Sequence, residues 1–298
     1  MKKMNSIPLL FIVCLVAAPA VAQKIDPLTG EVVEQAPPPE PTGPDLTEAF
    51  AKVKAQDFGA AEAILAGLQD EWPDDERLLA LRGELLVALG RTAEAVPILR
   101  KVATLAPERP RVHFQLGTAL ASGGDRTAAI EAFGKELEHS EEAQVRLLAH
   151  LNRSMLFQQT RQWAEASTEL RAVLELDPAR VEAWGDLTTL QLEAGDVEAA
   201  ARAFEDGFAA GFRSARHGYS VGARLLKAER YAEARDMFQR VLEIEPTHAR
   251  AVRSLAASLE KLGSDEESLE QWARYLELAP GAVDADQVAQ KLSAAGKR

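Results

Sequence analysis

A chain of 298 residues with a formal net charge of −12 is poorly suited to nucleic acid, whose phosphates demand clustered Lys and Arg. Ala, Leu, Glu and Arg are abundant and aromatic residues make up only 6%, which points to an all-helical chain. A lone cysteine excludes a disulfide framework within the chain.

The chain opens on a targeting segment. Lys2 and Lys3 form a basic start, and residues 8–18 form an apolar core too short to span a bilayer comfortably. Ala20, Val21 and Ala22 supply small residues before a cut at Gln23. With no twin arginine, this predicts a signal peptide over 1–22, general secretion and a periplasmic location in a bacterium. Val13 is not the small residue that precedes a lipidated cysteine, so Cys14 reads as part of the apolar core. Cleavage after Ala22 removes that cysteine and two lysines, leaving a thiol-free chain of charge −14. Residues 23–44 read as a linker. Pro37, Pro38, Pro39, Pro41 and Pro44 favour extended polyproline geometry, and apolar residues there are too sparse for a core.

Beyond the linker one pattern recurs. It is plainest over 181–212, where Trp184, Leu187, Leu190 and Gln191 share one helical face. Gly195 suits a left-handed helix end and Asp196 a helix cap, and a second helix follows with Ala200, Ala203, Phe204 and Phe208 on its inner stripe. In steps of 34, Ala200 and Phe204 match Ala61 and Leu65, Ala95 and Leu99, Ala129 and Phe133, Ala166 and Leu170, Ala234 and Phe238, then Ser268 and Trp272. One step in this series, between the third and fourth copies, is 37. Pro73, Pro107, Pro178, Pro246 and Pro280 keep the same phase, as do the inter-helix glycines Gly90, Gly124 and Gly263. The copies fall at 42–75, 76–109, 110–143, 147–180, 181–214, 215–248 and 249–282, and residues 144–146 predict an extended helix or a loop. In copy six, Gly218 stands where copy five has Trp184, which predicts a hinge, a shallow pocket or close helix packing. Asp284, Ala285, Asp286 and Gln287 resemble a capping box opening a terminal helix within 283–298, with Val288 and Leu292 as its apolar stripe.

This pattern resembles the tetratricopeptide repeat (TPR) family, whose signature is Trp-x2-Leu-Gly-x2-Tyr, then Ala-x3-Phe, then Pro. Thr188 departs from it where Gly is usual, and Arg82 and Arg153 depart where Leu is usual. The resemblance implies an all-α fold, a right-handed α-solenoid of about seven helix-turn-helix repeats spanning 45–282 and closed by a C-terminal capping helix. Length by itself suggests about two domains, but a stack of repeats grows without splitting into separate cores.

No chemistry stands out. His113, His139, His150, His217 and His248 have no metal spacing, and there is neither a Gly-rich phosphate loop nor a Ser, His and acid grouping. We therefore expect no enzyme, no catalytic residue, no metal and no cofactor. In the resembled family the first helix of each pair lines the concave face, where peptides commonly lie. One column of that face reads Leu81, Gln115, Asn152, Asp186, Ser220 and Ser254, and the neighbouring slot includes Phe114, Tyr219 and Arg253. Asn and Gln can pair with the backbone of an extended peptide. Arg77, Arg111, Arg216 and Arg250, near helix starts, await either loop acids such as Asp75 and Glu108 or a partner. The candidate partner-binding residues are thus Arg111, Phe114, Gln115, Asn152, Asp186, Tyr219 and Arg253, with Gln115 and Asn152 expected to be removable without loss of the fold. The expected partner is a protein or peptide in the concave groove, with no nucleic acid and no membrane insertion of the mature chain. The expected function is a non-enzymatic periplasmic scaffold of an envelope assembly. The alternative is a soluble periplasmic peptide-binding chaperone.

Overall fold

The structure, a computed structural model, describes residues 43–296; the predicted signal peptide and nearly all of the linker lie outside them. Fifteen helices and no strand are found among the described residues. The first copies form α1 (Thr47–Lys54) and α2 (Phe58–Glu71), α3 (Glu76–Ala88) and α4 (Thr92–Leu105), then α5 (Val112–Ser122) and α6 (Arg126–His139). The fourth and fifth form α7 (Ala143–Gln159) and α8 (Trp163–Leu176), then α9 (Glu182–Ala194) and α10 (Val197–Ala209). The last two form α11 (Ala215–Lys227) and α12 (Tyr231–Ile244), then α13 (Ala249–Lys261) and α14 (Asp265–Leu278), followed by α15 (Ala285–Ala294). The fold is all-α and built of helical repeats. The residues 144–146 that shift the register lie inside α7, whose 17 residues make it the longest helix among the described residues.

The helices group into two compact units, one ending at Ala132 and the other beginning at Phe133, so the division falls inside α6. In the first unit, Ala61, Leu65, Leu78, Leu79, Ala95, Leu99 and Val102 are fully buried. Gly83 belongs to this packing, because a Cβ there would stand 2.6 Å from the Leu99 side chain. Arg82, which replaces the usual Leu, donates to Glu62 and to Gln69 Oε1, and Arg91 reaches the same Glu62 at 3.0 Å. In the second unit Ala166, Ala200, Phe204, Ala234 and Phe238 are fully buried at the recurring slots. Arg153 again replaces Leu and is again matched by a buried acid. Glu169 takes Arg153 at 3.1 Å and His150 Nδ1 at 2.7 Å.

All seven turns between paired helices share one backbone device. Gln56, Gly90, Gly124, Arg161, Gly195, Glu229 and Gly263 have positive φ. The next residue donates its N–H five positions back, as Arg230 does to Leu225 O at 3.0 Å and Asp196 to Gln191 O at 2.9 Å. At Gln56, Arg161 and Glu229 a side chain occupies a left-handed conformation that disfavours a Cβ. Glu229→Gly is expected to stabilise the protein by about 0.5–1 kcal/mol, relieving that strain against the added freedom of the unfolded chain. Urea unfolding of the variant checks this; a shift of the midpoint to lower urea contradicts it.

Gly218 is neither a hinge nor a pocket. A Cβ there would meet Phe204 Cζ at 2.8 Å and Val241 Cγ2 at 2.9 Å, so glycine is what lets α11 approach α10 and α12. In the preceding copy the arrangement is inverted, with Trp184 packed over Gly207, where a Cβ would stand 2.6 Å from the Trp184 Cβ. At the end of the chain, α15 buries Val288 and Leu292 against Val252, Ala256, Trp272 and Tyr275. Its expected capping box does not form. The Asp284 side chain makes no cap bond and instead accepts Tyr275 Oη–H at 2.7 Å and Arg253 Nε–H at 2.6 Å.

Candidate functional site

The candidate residues sit on first helices and divide between the two units. In the first unit, Arg111 precedes α5 with a positive φ of 68°, and Phe114 and Gln115 follow on α5, both half-buried. Gln115 is already engaged. Its amide N–H donates to Glu84 on α3, so Gln115→Ala strips a partner from a crowded carboxylate rather than leaving the fold untouched. Burial pushes the Glu84 carboxyl above its ordinary value, opposed in part by that bond and by the charges of Arg109 and Arg111. A carboxyl raised by folding favours the protonated fold, so stability is lost as pH rises through and above the unfolded value of about 4.3. Glu84→Gln, which keeps an oxygen for Gln115, is therefore expected to raise the melting temperature at neutral pH. The gain fades below about pH 4. Thermal melts at both pH values test the sign, and a loss of stability at neutral pH contradicts it.

In the second unit the residues spread along four first helices. Asn152 on α7 is half-buried and donates its amide to Leu148 O of its own helix at 2.8 Å. Asp186 on α9 has an exposed side chain, but the protein around it pushes its carboxyl up; His217 opposes the rise and Glu182 adds to it. His217, held low by burial and then by Arg216, shares a 2.6 Å hydrogen bond with Ser214 Oγ and packs edge-on to Phe212.

Tyr219 on α11 forms the most populated neighbourhood. Its ring stacks on His248, 5.2 Å between centroids at 27°, and the Arg250 guanidinium lies 5.3 Å from its centroid. Arg253, exposed on α13, reaches Asp284. The structure thus brings Tyr219 and Arg253 to adjoining helices and adds His248, for which the sequence offers only the lack of metal spacing, Arg250, left open between loop acids and a partner, and Asp284, expected to open a capping box. His248 falls in the inter-copy loop and Asp284 beyond the last copy, where the 34-residue step carries no signal. Of the helix-start arginines, Arg77 pairs with Asp75 at 3.4 Å as expected, whereas Arg216 and Arg250 meet no carboxylate among the described residues. Ser254, in the same column as Asp186, is buried and acts in packing.

Among the described residues no cluster of His, Cys, Asp and Glu could hold a metal ion, and no helix is long and apolar enough to cross a membrane. Paired helices with polar and aromatic side chains on their first members define a repeat protein of the protein-interaction class. A tetratricopeptide repeat model matches residues 46–110, 82–143, 151–215 and 222–283, more than half of the chain. The chain belongs to the tetratricopeptide repeat family. Among curated proteins no sequence matches significantly. Among solved structures it is similar to a chain of the Naa15/Naa10 complex bound to HypK-THB, at 14% identity and a TM-score of 0.61, covering 85% of this chain. This chain spans only 38% of the length of that one. It is also similar to MamA at 20% identity and a TM-score of 0.43, covering 58% of this chain and 93% of the other. A third is YrrB, described as a TPR protein with an unusual peptide-binding site, at 16% identity and a TM-score of 0.34, covering 76% and 97%.

Proposed function

We propose that the protein is a non-enzymatic scaffold of the bacterial periplasm that holds partners of an envelope assembly through the first helices of its repeats. The observation that carries this reading is a contrast between two faces of the same helices. Their packing faces are filled by residues such as Leu187, Leu190, Val221 and Leu225, while Asp186, Arg253, Arg216 and Arg250 are exposed on slots that packing does not consume, beside the half-buried Tyr219 ring that packs against Phe238. Polar and aromatic side chains held on rigid helices suit recognition of a peptide or protein surface. The location rests on the basic start, short apolar core and small residues that predict a mature N-terminus at Gln23. Intact mass of the protein purified from the envelope tests it; a species retaining Met1, or one carrying lipid, counts against it. Capture from envelope extract by the parent and by Asp186→Ala tests the role. A defined, stoichiometric partner set that the substitution depletes supports the scaffold, whereas a broad client spectrum supports a peptide-binding chaperone.

A further inference from the structure

The first turns of α11 and α13 both lack an acidic residue, and each instead carries an arginine, Arg216 and Arg250. A cation there opposes the helix dipole, and neither guanidinium meets a carboxylate among the described residues. The two adverse charges frame Tyr219 and Ser220, with Arg253 one turn beyond Arg250. Near this cluster the chain already holds one carboxylate of its own, since Asp284 Oδ2 accepts Arg253 Nε–H at 2.6 Å. His248 Nδ1 accepts the Ala251 N–H at 3.1 Å, which leaves Nε2 to carry the ring hydrogen beside Tyr219. A local set of cations and donors therefore stands on a protein whose net charge is −12.

From this arrangement we infer that the α11–α13 face binds an acidic peptide segment, seating its side-chain carboxylates on Arg216 and Arg250, beside the Arg253 that Asp284 already holds. Planar guanidinium groups match carboxylates in two-point hydrogen bonds. A long polyanion is disfavoured by the acidic remainder of the chain. Tyr219, stacked on His248 and attended by Arg250, is poorly placed to stack a nucleobase. The inference rests on the scaffold reading and supplies the chemistry of its partner.

Fluorescence anisotropy of the full chain tests it. The probes are a labelled peptide of alternating glutamate and aspartate and its counterpart of alternating glutamine and asparagine. The acidic peptide is expected to bind, the amide peptide to be ignored, and rising salt to weaken the complex. Joint Arg216→Ala and Arg250→Ala substitution is expected to lower affinity about tenfold or more, while joint replacement by Lys retains part of it. Arg202→Ala, which removes a guanidinium paired with Glu198 on α10, is expected to change nothing. Equal binding of the two peptides, binding of neither, or an unaltered affinity in the double Ala variant overturns the inference. So does a chain that ignores the peptide but binds a single-stranded oligonucleotide or anionic lipid vesicles through the same arginines. Should the acidic peptide fail while extract capture still depends on Asp186, this inference falls and the scaffold reading stands.

Discussion

Phe204→Ala is expected to destabilise the second unit by about 3–5 kcal/mol, as the loss of a fully buried aromatic ring does. The ring is completely enclosed, 6.3 Å from Phe208 and 6.4 Å from Phe212 between centroids, and lies in a cluster with Val221, Leu225, Ala234 and Phe238. Because repeats pack on their neighbours, the loss is local. Amide hydrogen exchange should accelerate in α10, α11 and α12 and stay nearly unchanged in α3 and α4. An equal rise in all of these helices contradicts the account.

Gly218→Ala is expected to cost about 1–3 kcal/mol, and Gly218→Trp, which restores the residue of the preceding copy, more than that. A consensus argument predicts the opposite sign for Trp, since the family signature has it at this slot. Geometry decides the matter. The space a Cβ needs is taken by the Phe204 ring and by Val241, and neither is the loose end of a flexible side chain. The two substitutions are also coupled. With the ring removed, the added methyl has somewhere to go, so the double variant Phe204→Ala/Gly218→Ala should lose less than the two losses added together. Chemical denaturation of the four proteins in the cycle measures this; strict additivity means that the contact does not exist.

The repeats were legible because their spacing, small residues and inter-helix glycines recur in step, and each marker has a local physical cause. Gly90, Gly124, Gly195 and Gly263 announce left-handed turns. Gln56, Arg161 and Glu229 adopt the same conformation unannounced, because there the pull of the packed helix pair overrides the preference of the residue. The candidate face was legible only as a set of slots. That Gln115 is polar and on a first helix can be read directly, but that it spends its amide on Glu84 depends on how close α3 and α5 come. Asp284 carries a genuine cap signature and still does not cap, since Tyr275 and Arg253 compete for the same carboxylate and win it. Its pull on Arg253 comes from beyond the last copy, so no comparison between copies could have revealed it.

The pairs Trp184 with Gly207 and Gly218 with Val241 have a further consequence for how this chain tolerates rearrangement. Removing residues 196–229 in frame would join Gly195 to Arg230 through the same turn conformation, so the backbone presents no obstacle. The side chains do. Trp184 would then face Val241 instead of Gly207, and a bulky residue would meet a second one where the parent places a hollow. The copies are therefore alike as folded ribbons but keyed individually as lock and tenon. Between copies five and six the order is set by which bulk meets which gap, and exchanging their helices would scramble that fit while leaving the turns intact.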